Sequence, residues 1–143
     1  MRLSEQGGKM LDNKELAKKY GLDESHFWKH PQAGKWIISH EGAMTIADHE
    51  GIEFSKPEYI KTERDLIVLY GEATIYLADG QTKTKWSHGE ASHKNCFMPY
   101  PYAMAEKRLK DRLTLMLIAA YGTVYSEIEA EEFMAQRKRL SEM

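Results

Sequence analysis

The sequence predicts an α+β domain in which an antiparallel sheet of about five strands packs on one long helix, with a further helix at the C-terminal end. Three observations carry this. Ala105, Leu109, Leu113, Met116, Leu117 and Ala120 recur at spacings of three and four within residues 100–122, which marks a long helix. Strand-like runs follow one another at 52–60, 66–78 and 81–87. The order of elements lacks the strand–helix alternation that builds a parallel doubly wound sheet.

Residues 1–11, with Gly7-Gly8, read as a flexible tail, and 12–143 as one domain. Leu16, Lys19 and Tyr20 behind Asp12 predict a short helix that stops at Gly21. His26 to His30 and Lys35 to Ile38 flank a Pro/Gly turn and predict a hairpin. Ser39 is placed to cap a helix over 40–50, ended by Gly51. In the 52–60 run Pro57 points to an edge or a strand end, because proline offers no N–H to a neighbour. The 66–78 run is the strongest strand signal, and Gly71 within it suggests a bend that divides it. Asp79-Gly80 predicts a type I′ turn into 81–87, where Thr82, Thr84 and Trp86 share one face and Lys83 and Lys85 the other. Residues 88–99 read as a polar loop. Pro101 suits the first turn of the long helix and Gly122 its stop. Beyond Leu113 the helix is apolar nearly all round, which predicts burial on more than one side. Ser126 with Glu129 forms a capping-box pattern for a last helix, acidic at its start and basic at its end.

Composition narrows the function classes. The chain has 143 residues, 42% hydrophobic and 29% charged, as in ordinary globular proteins, and its net charge of −2 places any nucleic-acid surface in local patches. One cysteine, Cys96, excludes an intramolecular disulfide and fits a reducing cytoplasm. No apolar run approaches the ~18 residues of a membrane span, and the N-terminal stretch lacks the apolar core of a signal peptide.

Chemistry has few footholds. His26 and His30, or His88, His93 and Cys96, do not form a zinc motif, and no metal or other cofactor is expected. His93 beside Cys96, or the carboxylates Glu72 and Glu90, could serve a small enzyme, but neither set shows a positioning partner. No phosphate loop is present, and the chain is read as a non-enzyme. Lys83, Lys85, Trp86, Lys94, Tyr100, Tyr102, Lys107, Arg108, Lys110 and Arg112 fall within thirty residues. Cations interleaved with aromatics are what a single-strand surface needs, the cations for phosphates and the rings for unpaired bases. The plainer reading is that Glu106–Lys110 and Lys107–Asp111 are i,i+4 pairs on a solvated face, with Trp86 and Tyr102 in the core.

A family likeness covers residues 86–130. Trp86-Ser87, Gly89-Glu90-Ala91-Ser92, Asn95, Tyr100-Pro101, Ala103-Met104-Ala105-Glu106-Lys107-Arg108 and Lys110-Asp111-Arg112 resemble a signature of small phage proteins of the recombination region, continued by Gly122, Val124 to Glu127, and Glu129-Ala130. The helix is similar to that of the single-strand annealing superfamily, which includes the eukaryotic Rad annealase and the phage Erf and Sak proteins. Ala105, Lys107, Asp111 and Tyr121-Gly122 carry that likeness. It implies a homo-oligomeric ring or filament that holds single-stranded DNA and anneals it without covalent chemistry. The basic pair that eukaryotic members carry before the aromatic-Gly end is replaced here by Leu115 and Met116. The expected contacts are therefore Lys107, Arg108, Lys110 and Arg112, extended by Lys83, Lys85 and Lys94, with Trp86 or Tyr102 stacking. The alternative is a protein-interaction module, an adaptor or inhibitor of a host protein.

Overall fold

The computed structural model describes residues 12–31, 34–63, 66–92, 101–118 and 124–126. In chain order the elements are α1 (Asn13–Tyr20), a short 3₁₀ turn (Glu24–His26), β1 (Phe27–Lys29), β2 (Trp36–Ile38), α2 (His40–Glu50), β3 (Glu53–Phe54), β4 (Glu58–Glu63), β5 (Leu66–Tyr76), β6 (Thr82–Ser92), α3 (Pro101–Leu117) and β7 (Val124–Ser126). The chain is α+β, as the element order predicts. The expected tail at 1–11, the stop at Gly122 and the last helix after Ser126 lie outside the described residues.

Short polar side chains start the first two helices. Asp12 accepts from the Glu15 N–H at 2.9 Å, and Ser39 Oγ from the Gly42 N–H at 2.9 Å, each taking up a donor the helix itself leaves unpaired. Both helices stop at the predicted glycines, Gly21 and Gly51.

The strands form two sheets, not the single sheet of about five that the sequence suggests. In the first, β1 and β2 make the expected hairpin, with Trp28 level with Ile37. Its third strand is β7, parallel to β2, which sets Ser126 beside Ile38 as a buried strand residue. A three-residue strand gives no readable alternation in sequence. The second sheet is built on β5. β6 pairs with it from Leu66↔Ser92 to Tyr76↔Thr82, and β4 and β3 share its other side. Pro57 falls in the gap between β3 and β4, and all six residues of β4 are exposed, as befits an edge.

Three local expectations change. β5 runs through Gly71 in unbroken register, and the irregularity lies instead in β4, between Tyr59 and Lys61. β6 continues to Ser92, so 88–92 is strand and not loop. The turn after β5 has three residues: Leu77 N–H donates to the Gln81 carbonyl, Gly80 N–H to the Leu77 carbonyl, and Gly80 takes φ +84°. That is a tight turn closed by a left-handed glycine, the common three-residue alternative to type I′.

Helix α3 crosses the β5–β6 face. Gly89 and Gly71 let it in: a Cβ at Gly89 would fall on the Ala105 carbonyl oxygen and 2.7 Å from Leu109 Cβ, and one at Gly71 would lie 2.9 Å from Leu109 Cδ2. Met104, Ala105, Leu109, Leu113 and Leu117 join Ile67, Leu69, Ala73 and Ile75 in one core. Leu115 and Ile118 turn the other way, to Leu16, Tyr20, Ile38, Ile46 and Val124. The helix is thus shared between two layers, as its all-round apolar rear predicts.

Candidate functional site

The basic residues of α3 do not form one surface. Arg108 is fully buried and donates from Nη1 to the Glu90 carbonyl. Arg112, one turn on, donates from Nη1 to the His88 carbonyl at 2.6 Å and approaches both Glu90 carboxylate oxygens at 3.3 and 3.4 Å. Among the described residues β6 pairs only with β5, so its far side is a sheet edge. The two arginines satisfy carbonyls of that strand and tie the helix to it. In this arrangement Arg108 cannot meet a phosphate, and Arg112 is committed to Glu90. That corrects the expectation for both.

The neighbouring charges divide differently from the sequence pairing. Lys110 holds Glu106 at 2.9 Å, the expected i,i+4 pair. Asp111 is not on a solvated face with Lys107: it is fully buried, with Oδ1 2.6 Å from His40 Nδ1 at the start of α2. Lys107 stands exposed. Tyr102 is 51% exposed rather than core, its ring 6.1 Å from Tyr59.

On β6 the face assignment read from the sequence holds. Thr82, Thr84 and Trp86 are exposed on the outer face, while Lys83 and Lys85 stand on the helix side opposite Ile75 and Ala73. Residues two apart on a strand lie about 7 Å apart, so the two ammonium groups are neighbours. Burial and the charge of Lys85 lower the Lys83 pKa from its ordinary 10.5. Among the described residues no carboxylate lies within ion-pair distance of either lysine. Lys94 lies outside the described residues.

The outer face of the sheet is a separate surface. Register sets Tyr70 opposite His88 and Glu72 opposite Trp86. The Tyr70, Trp86 and His88 rings lie 5.5–6.0 Å apart, and Trp86 is 60% exposed. Trp86 is therefore not core, and it faces away from the lysines beside it. Tyr70 and His88 escape sequence reasoning because the strand seemed to end at Ser87. Continuing the alternation from Trp86 would have placed His88 beside it.

Among the described residues the remaining histidines show no shared site. His26 Nδ1 accepts from the Asp23 N–H at 3.3 Å, and His30 is buried with its ring 5.8 Å from Trp28. Among the described residues no group of three His, Cys, Asp or Glu side chains converges as metal ligands, and His93 and Cys96 lie outside them. Glu90 is held by Arg112, and Glu72 accepts from the Tyr70 hydroxyl at 3.1 Å. A groove of about 630 Å³ between α1 and β1–β2, lined by Ala17, Leu22, Phe27 and Trp36, includes none of the predicted contact residues. No helix among the described residues is long and apolar enough to cross a membrane.

No protein-family model, curated protein or solved structure matches this chain.

Proposed function

We propose that the protein binds single-stranded DNA and anneals complementary strands as a homo-oligomer, acting in the cytoplasm of a bacterial host without a cofactor. One observation carries the reading. Lys83 and Lys85 are held side by side on the helix side of the β5–β6 hairpin, partly desolvated and without a carboxylate among the described residues. Two like charges placed this way destabilise each other until an anion sits between them, which makes the pair a site for phosphate oxygens.

The succession of elements also supports it. Antiparallel strands β4, β5 and β6 are followed by a helix across their face, the arrangement that the likeness to single-strand annealing proteins implies. The contact set is revised accordingly. Lys83 and Lys85 neutralise phosphates at the hairpin. Lys107, with the exposed Tyr102 beside Tyr59, supplies a second contact near the start of α3. From Gly89, under the front of the helix, to Lys83 is six residues of strand, about 20 Å, a span suited to several extended nucleotides. Arg108 and Arg112 position the helix, and Lys110 is shared with Glu106. A strand held extended with its charge screened leaves its bases open to a complement.

Association of copies is favoured by the exposed edge strand β4, which pairs only with β5 among the described residues, and by exposed Ile60 on it. The test combines light scattering with a strand-annealing assay on complementary oligonucleotides. A multi-subunit particle that speeds annealing is expected. A monomer that binds no oligonucleotide contradicts the proposal and favours a protein-interaction module.

A further inference from the structure

The outer face of the β3/β4–β5–β6 sheet carries a charge opposite to that of the lysine pair. Register places Glu53, Glu58 and Glu72 on this face with Tyr70, Trp86 and His88. Elsewhere on it Glu63 pairs with Lys61 at 3.5 Å and Glu90 with Arg112. Among the described residues the Glu53 and Glu72 carboxylates accept only tyrosine hydroxyls, from Tyr76 at 3.0 Å and Tyr70 at 3.1 Å. Among the described residues no cation lies within ion-pair distance of Glu53, Glu58 or Glu72. The local potential is negative: Glu72 and Glu58 help to raise the Tyr70 pKa and Glu53 that of Tyr76, with burial leading for Tyr70 and the hydroxyl bond to Glu53 for Tyr76.

We propose that this face docks an arginine-bearing segment of a partner protein, its guanidinium stacked on Trp86 and bonded to Glu72. The juxtaposition fits that chemistry in two respects. Trp86 is 60% exposed and directly opposite Glu72, so an aromatic face and a carboxylate fork adjoin. A planar guanidinium uses both together, stacking on the ring while donating two parallel hydrogen bonds, whereas an ammonium is a compact, strongly hydrated charge that cannot stack. Phosphates are repelled by the same carboxylates, so Trp86 serves a cationic partner and not the nucleic-acid path. The inference stands apart from the annealing proposal, because it uses the opposite face of β6.

The test is fluorescence anisotropy of two labelled peptides of equal length and charge, one arginine-rich and one lysine-rich, against the full chain. The arginine peptide is expected to bind roughly tenfold tighter than the lysine peptide. E72Q and W86A are each expected to weaken it roughly tenfold, while K83A/K85A leaves it unchanged. Circular dichroism melts confirm that the variants fold, which the exposure of both side chains favours. Equal binding of the two peptides, or wild-type binding by E72Q or W86A, overturns the proposal. So does a loss of oligo-dT affinity in W86A, which would make the face a nucleic-acid surface.

Discussion

Arg112 donates from Nη1 to the carbonyl oxygen of His88 at 2.6 Å, and Arg108, one turn earlier, donates to that of Glu90. The most basic-looking stretch of the chain therefore spends two of its cations on its own sheet edge. Removing either leaves part-buried acceptors without their donor, at about 1 kcal/mol each, and R108A also empties a fully buried volume. Both alanine variants are expected to melt several degrees lower, with R108A the worse, while the salt dependence of oligonucleotide binding keeps its slope. Thermal melts read by circular dichroism, set beside binding titrations, check both halves.

Gly89 and Gly71 meet the same leucine but should not respond alike. A Cβ at Gly89 collides with helix backbone at Ala105, which cannot yield without lifting α3 from the sheet. At Gly71 the obstacle is the end of the Leu109 side chain, which can rotate. G89A is expected to cost about 3 kcal/mol or more and G71A about 1 kcal/mol. Urea unfolding of the two variants gives the comparison, and equal midpoints would contradict the packing described.

Asp111 and His40 join α3 to α2 through a 2.6 Å contact in which the carboxylate is fully buried. H40A leaves that carboxylate with one partner fewer, at about 1–3 kcal/mol. H40N, which can still donate, is expected to recover part of the loss. If H40A unfolds at the wild-type urea concentration, the contact contributes nothing.

These pairings show how far the sequence reaches. Caps at Asp12 and Ser39, stops at Gly21 and Gly51, and the opposed faces of Lys83 and Trp86 were legible, because each depends on neighbours a few residues away. The union of β2 with β7, and the inward turn of Arg108 and Asp111, depend on residues far along the chain. A charged helical residue reads the same in sequence whether it faces water or a strand edge. Gly71 is instructive in another way: the missing side chain was visible, but its cause was a helix overhead and not a bend in the strand. The site was legible as a composition and not as a surface.

The lowered Lys83 pKa gives the lysine pair a pH signature. Burial, then the Lys85 charge, disfavours the ammonium form, so the folded chain binds fewer protons than the unfolded chain between that lowered value and 10.5. Stability therefore gains from this group as pH rises through the window and loses that gain as pH falls through the lowered value. Phosphate binding has the opposite sign, since it needs the charged form. Affinity for oligo-dA is expected to be full below the lowered value and to fall, as pH rises through it toward 10.5, more steeply than in K83R, whose guanidinium does not titrate there. Parallel curves for the two proteins would remove Lys83 from the phosphate path.

In the proposed function Lys83 and Lys85, and not the arginines of α3, meet the nucleic-acid backbone. The direct measurement is the slope of log K against log salt for oligo-dT binding by wild type, K83A/K85A and R112A. Each phosphate contact to a single strand contributes about 0.7 to that slope, so the double lysine variant should be shallower by about 1.4, and R112A unchanged. Unchanged binding in K83A/K85A, with the slope lost in R112A, would contradict the account.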